Sequence, residues 1–434
     1  MPSSKQHVAI IGSGASCLYL LQSLWQNVSV LKTRLERVSV YERSDRAGVG
    51  MPYHPATTDR YHICNISSEE LPKLDQSFAD WLRQLSDEKL DLFDHRRDSI
   101  TEQETYERLL LGEYLQAMFN EVVSDLNGAG IEVEVRCNTP VDDIEDLPEK
   151  SAVKIVCGDA MAVVDRVVIA TGHTLAEDDR PEFGHFRSPW PIQKLLPADG
   201  ETFNFPVGVL GSSLSAFDVI TSLAHRHGEF LPSEDGGLRF VPASTAPDFR
   251  IVMHSLKGWL PHLQYEQAEP YRSVYRHASQ RQIRDLRDDR GFLRLEDYFD
   301  QVCRPALSDA FENDGRPEIA SLLRDRGFSL EQFVDMVQGE HEYAQPFEGM
   351  RSELPEARRS LEQDKPIRWK EVFDDLMYSL NYHAQWMPAE DHHRFHHVVM
   401  PFLMNVIAAL PIASARLLLA LYDAGRIELI RGRV

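Results

Sequence analysis

Close cysteine pairs are missing from this chain: Cys17, Cys64, Cys137, Cys157 and Cys303 are scattered, and no C-x-x-C occurs. That excludes dithiol–disulfide redox chemistry and leaves five reduced thiols as the expectation. There is no charge-free run of about 18 apolar residues, so no membrane-spanning helix is predicted. The opening MPSSKQ leads into the first strand without an apolar export segment, which makes the cytoplasm the expected compartment. Positive charge is scarce, with 46 Lys and Arg against 68 Asp and Glu and a net charge of −22. Such a balance argues against nucleic acid or an anionic membrane surface as partner. Internal repeats and low-complexity tracts are absent as well. What remains is a globular composition, 43% apolar and 26% charged over 434 residues, enough for two or three domains.

The chain is organised around residues 8–24, VAIIGSGASCLYLLQSL. Four apolar residues read as a buried parallel strand, and a glycine turn opens directly into an apolar-periodic helix. Gly12 allows the sharp turn, and Gly14 lets the backbone approach a pyrophosphate. Ser13, Ala15 and Ser16 bring the free N–H groups and positive dipole of the helix start to the phosphates. Cys17 takes the third fingerprint place, usually Gly or Ala, and is small enough for it. A dinucleotide site also needs an acid ending the second strand to bind ribose hydroxyls. Residues 37–43, RVSVYER, supply the strand, with Glu42 at its end and Arg43 beside it.

A long irregular stretch follows, rich in Gly, Pro, Ser and Thr. In a cofactor protein such a loop commonly carries function, the alternative being an ordinary surface excursion. Gly48 and Gly50 would let backbone approach a flat ring, and Tyr53, His54 and Asn65 could contact ring or substrate. Residues 78–92 and 108–126 have helical periodicity. IEVEVRC reads as a strand, TPVDDIEDL as a turn, and SAVKIVC and AVVDRVVIA as two strands. The second of these ends in Ala170, Thr171, Gly172 and His173, small residues that let a strand end approach a cofactor.

The pattern then restarts at 205–225, FPVGVLGSSLSAFDVITSLAH, with Gly211, Ser213 and Ala216 in the fingerprint places and Ser212 and Ser215 beside them. Ser213 replaces a glycine and restricts close approach, although its hydroxyl can donate to a phosphate. The reading is a second nucleotide site, against a relic of the fold that no longer binds. After the strand FRIVMH, Lys257 stands where a cation could reach a 2′-phosphate, and no acid ends the strand, which favours NADPH over NADH. Residues 271–380 read as a helical region walling a substrate cleft, and the tail as helix, Gly425 stop and strand. DHHRFHH places His392, His393, His396 and His397 at i, i+4 spacing, but without H-E-x-x-H, and no metal site is assigned. Trp259, Trp369 and Trp386 are read as packing.

Two glycine turns flanking an A-T-G strand resemble the two-dinucleotide-domain flavoproteins, especially bacterial FAD/NAD(P)-binding proteins related to flavin-dependent N-hydroxylating monooxygenases. The carrying segments are GSGAS at 12–16, YER at 41–43, RLLLGEYL at 108–115, IATGH at 169–173 and GSSLSAFD at 211–218, with RFHHVVMPFLMNVIAALP and DAGRIELIRG near the end. The resemblance implies an α/β fold of two Rossmann-like domains with an added helical region. It divides the chain into an FAD domain of 1–200 plus 380–434, an NAD(P)H core of 201–265 and a helical substrate or lid region of 266–379. FAD would be held permanently and NADPH, or NADH, would visit. It adds Met51 and Val141 to Gly50, Tyr53 and Asn65 as candidate FAD contacts. NADPH would reduce the flavin, O₂ would give a C4a-hydroperoxyflavin, and one oxygen atom would pass to a nucleophilic substrate atom such as an amine nitrogen. Because the cofactor carries that chemistry, no catalytic nucleophile is required, and none is assigned. The alternatives are a flavin oxidase or dehydrogenase reduced by its own substrate, and a non-catalytic flavin-binding protein.

Overall fold

The computed structural model describes residues 5–173, 178–234, 236–269, 273–407 and 410–432. These fall into two units, Met1–Leu196 and Pro197–Val434.

In the first unit the apolar run at 8–11 becomes the interior of β1 (Gln6–Ile11), with Ala9 and Ile10 fully buried. A strand paired along both edges inside a parallel sheet is covered on both faces by other elements, which is why the run is continuous rather than alternating. β2 (Leu35–Tyr41) lies beside β1, β3 (Glu132–Arg136) continues the sheet, β4 (Asp143–Leu147), β5 (Ala152–Cys157) and β6 (Ala160–Val164) form an antiparallel meander, and β7 (Arg166–Ile169) pairs with the other side of β1. The four-stranded parallel sheet therefore has the order β3-β2-β1-β7, the arrangement of a Rossmann-like half. Its core joins the helix Ala15–Gln26 to the long helix Arg108–Gly128. The latter buries Leu110, Leu111, Tyr114, Leu115, Met118, Phe119 and Val122 at three- and four-residue spacing, each contributing about 1.5–3 kcal/mol when it leaves water.

In the second unit β8 (Pro206–Leu210) runs into the helix Leu214–His227, an antiparallel hairpin of β9 (Gly228–Pro232) and β10 (Leu238–Pro242) follows, and β11 (Arg250–Ser255) returns parallel to β8. β12 (Ile427–Arg431) pairs parallel with the far side of β11. Helices between residues 280 and 407 enclose their own core around Phe311, Phe333, Trp369, Phe373 and Phe402. The Phe311 and Trp369 rings stack at 5.1 Å and 12°.

Four expectations are corrected. The C-terminal segment does not join the first unit: β12 is in register with β11 from Ile251 with Ile427 to Ser255 with Arg431, which places it in the second. Residues 143–147 are an edge strand rather than a turn, with four of five residues exposed. AVVDRVVIA is two strands broken at Asp165, whose carboxylate accepts the His7 amide at 2.7 Å. Residues 78–92 form two short helices, Phe78–Leu82 and Asp87–Asp91, the second capped anew by Ser86.

Candidate dinucleotide sites

The turn after β1 depends on two glycines for different reasons. Gly12 has φ +95°, and a Cβ there would lie 2.3 Å from the Ala170 carbonyl oxygen and 3.1 Å from Thr171 Cα. The A-T-G strand end thus lies directly against the first glycine. Gly14 and Gly50 meet back to back: a Cβ on Gly14 would stand 3.2 Å from Gly50 Cα, and one on Gly50 3.3 Å from Gly14 Cα. Gly50 is also at φ +79°, so glycine is required there on both counts.

Ser13, fully buried, ties the turn together. Its hydroxyl donates to Glu42 Oε2 at 2.6 Å and accepts the Gly48 amide at 3.2 Å, while its own amide donates to the same Glu42 oxygen at 3.2 Å. The other oxygen, Oε1, accepts from the Ser44 amide and hydroxyl, both at 2.9 Å. Burial pushes the Glu42 carboxyl up, but these hydrogen bonds outweigh burial and hold it below the usual carboxylate range. Gln116, on the long helix, fixes the following loop by donating to the Ala47 carbonyl at 3.1 Å.

Ala15 and Ser16 open the helix Ala15–Gln26, whose start carries no side-chain cap. The uncapped amides and dipole fit a phosphate. Met51 and Tyr53 form a 3₁₀ turn after Gly50, pressed by Gly112 of the long helix, where a Cβ would lie 2.6 Å from the Tyr53 carbonyl oxygen. Arg43 and Asn65 are exposed. Val141 packs its side chain on a cluster of Ala9, Tyr41, Ile155 and Val164. Thr171 and Gly172 extend, exposed, from β7.

At the second turn Gly211 has φ +115° and no atom within 4 Å of where a Cβ would be, so backbone sign rather than crowding selects glycine. Its amide donates to the His254 carbonyl at 2.8 Å. Ser213 occupies the N-cap position of the helix Leu214–His227, yet its side chain makes no cap. Ser212 donates to the Trp259 carbonyl at 2.6 Å and locks the turn to the loop after β11. Ser215 is exposed and Ala216 is buried against the sheet. Lys257 is exposed, with its ammonium 5.2 Å from the Trp259 ring centroid. Sequence reasoning missed Arg431: its Cβ is 3.0 Å from where a Cβ on Gly258 would lie, so a second cation ends the neighbouring strand. The missed signal was the cation closing IELIR.

The tryptophans read as packing divide: Trp369 is core, whereas Trp386 is 39% exposed under the Arg287 guanidinium, 3.7 Å from its ring centroid. In the histidine tract His393 stacks on His397 at 4.0 Å. Among the described residues no helix is long and apolar enough to cross a membrane.

Residues 9–174 match the family described as FAD-NAD(P)-binding, and residues 279–407 the one described as YdhS-like middle domain. The chain is 26% identical over 436 residues to "Uncharacterized protein YdhS" of Escherichia coli strain K12, covering 98% of this chain and 76% of that protein. Cyclohexanone monooxygenase with bound ε-caprolactone is similar at 11% identity and TM-score 0.42, over 98% of this chain and 67% of that one. The enzyme of that name from Rhodococcus sp. Phi1, bound to NADP+, is similar at 14% identity and TM-score 0.33, over 62% of this chain. The chain spans 40% of the length of that second enzyme. By its parallel sheet and its glycine turn the first unit is a Rossmann-like domain, and most of it is the segment that matches the FAD-NAD(P)-binding family.

Proposed function

We propose that the protein is an FAD-dependent oxidoreductase that takes electrons from NADPH, with NADH as the alternative donor, and acts as a monooxygenase on a small nucleophilic substrate. The observation that carries this reading is the first turn: a glycine cradle closed by Gly14 against Gly50, with the Ser13 and Glu42 hydrogen bonds behind it. FAD, when bound, supplies hydride acceptance and O₂ chemistry. The chain's own task is to bind and orient it. The amides of Ala15 and Ser16 would receive the pyrophosphate, Glu42 would accept from ribose hydroxyls, and the backbone at Gly50, Met51, Thr171 and Gly172 would edge the cofactor, with Tyr53, Asn65, Arg43 and Val141 as flanking positions. In the second unit the amides after Gly211 would receive the phosphates of NADPH, with Ser213 and Ser215 as donors and Lys257 on the 2′-phosphate. An amine nitrogen of an amino acid or small amine is the substrate atom we favour, on the resemblance to N-hydroxylating enzymes.

The test is the visible spectrum of purified protein, followed in air after adding NADPH and then NADH. A flavin band bleached by NADPH and restored by O₂ is expected. A flavin band that neither nucleotide bleaches overturns the monooxygenase reading and favours reduction by the substrate itself, for which the side chain at Ser213 is the motivating feature. No flavin band, and none acquired on incubation with FAD, overturns the whole assignment.

A further inference from the structure

Within the second unit three side chains that play no part in the nucleotide turns converge from separate stretches of chain: His262 from the loop after β11, His341 from just beyond the helix Leu330–Gly339, and Glu353 from the helix Pro346–Glu362. Their ligand atoms all lie within 4.8 Å of one another. His341 Nδ1 is 3.2 Å, and His262 Nε2 3.7 Å, from the same carboxylate oxygen, Glu353 Oε1. The two imidazole rings meet edge to face with centroids 3.6 Å apart. His262 is only 5% exposed, and its Nε2 is buried with no hydrogen-bond partner. Native interiors rarely leave such an atom unsatisfied, so something else is due at that position. All three residues line a cavity of about 660 Å³ that gives the group an opening.

We propose that His262, His341 and Glu353 form a binding site for a divalent transition-metal ion of zinc-like preference, with its remaining coordination positions facing the cavity. Two imidazoles and one carboxylate are a donor set that borderline cations prefer, and three protein ligands leave a position for water or a small molecule. Donors about 2.0–2.2 Å from a tetrahedral ion are separated by about 3.3 Å, close to the 3.2 and 3.7 Å spacings found here. One outer contact fits as well. The Tyr343 hydroxyl donates to Glu353 Oε1 at 2.8 Å and orients the carboxylate. This site does not depend on the flavin reading, and its residues lie far apart in sequence, unlike the DHHRFHH tract.

The experiment uses the full chain, stripped with a chelator and dialysed against Zn²⁺ alone. One ion per chain is expected to be retained. His341→Gln and Glu353→Gln are each expected to weaken binding by about 100-fold or more, since even losing an outer partner commonly costs about 10–100-fold. His393→Ala, in the surface tract, is expected to leave binding unchanged. Failure of the wild-type chain to retain zinc overturns the proposal, as does binding that survives both cavity variants but is lost in His393→Ala. Should the cavity variants not fold, cobalt(II) added to the wild-type chain decides the matter. Intense visible bands of a low-coordinate site support the proposal, and only the weak bands of a six-coordinate ion overturn it.

Discussion

The Ser13 hydroxyl donates to Glu42 Oε2 at 2.6 Å, and through that one contact the turn after β1 is tied to the end of β2. Ser13→Ala removes this bond and the acceptor of the Gly48 amide together. Hydrogen bonds to a charged group contribute about 1.5–3 kcal/mol, so a loss of that size is expected in urea denaturation. Reduced FAD content in the purified variant is expected alongside it.

Glu42 also sets an acid limit. Burial opposes its charge, the bonds from Ser13 and Ser44 prevail, and its carboxyl titrates below the ordinary value in the folded chain. Its contribution to stability is therefore complete above the unfolded-state value of about 4.3 and disappears as pH falls through the lower folded-state value. Stability measured by urea midpoint from about pH 6 down to about pH 3 should fall less steeply in Glu42→Gln than in wild type.

The glycines offer a graded series. Gly184 has φ +65° with open space around it, so Gly184→Ala should cost only backbone strain, about 1–2 kcal/mol. Gly50→Ala adds the collision with Gly14 Cα, and Gly12→Ala the more severe one with the Ala170 oxygen. Thermal midpoints should fall in that order, and FAD retention should fail only for Gly50 and Gly12.

Lys257 lies just beyond β11, and Arg431 ends the adjacent β12. Removing either by substitution to Ala should weaken NADP+ binding about 10–100-fold, as expected for a charge-assisted hydrogen bond, while leaving NAD+ unaffected. Calorimetric titration with the two nucleotides reads this directly. Equal losses for both nucleotides would remove the 2′-phosphate role.

The two tryptophans of the helical region should separate cleanly. Trp369, 3% exposed and stacked on Phe311, should cost about 3–5 kcal/mol on substitution by Ala. Trp386, partly exposed under Arg287, should cost about 1 kcal/mol or less, the scale of an exposed cation–π contact.

These features were not equally legible in the sequence. A positive φ is a demand that a residue makes on itself, so Gly12 and Gly211 announce their turns, and β1, β2, β7 and β8 are readable beside them. Glu42 was legible as an acid at a strand end, whereas the serines that hold it were not, because Ser13 occupies a fingerprint place that admits any residue. The approach of Gly14 to Gly50 depends on how a long irregular loop is pinned by Gln116, which no local pattern encodes. β4 hid because DIEDL is an exposed edge strand without apolar alternation. His262, His341 and Glu353 become neighbours only through packing of the helical region.

The placement of β12 beside β11 bears on synthesis. Residues 256–426 separate two neighbours in one parallel sheet, so during translation β11 emerges with one edge unpaired and keeps it until the intervening helices have been made. The helical core around Phe333 and Trp369 takes its buried residues, among those described, from 283–407 and can condense during that interval. The nascent second unit would then assemble from its middle outward, with the open edge of β11 as the surface that a chaperone, or another nascent chain, meets first.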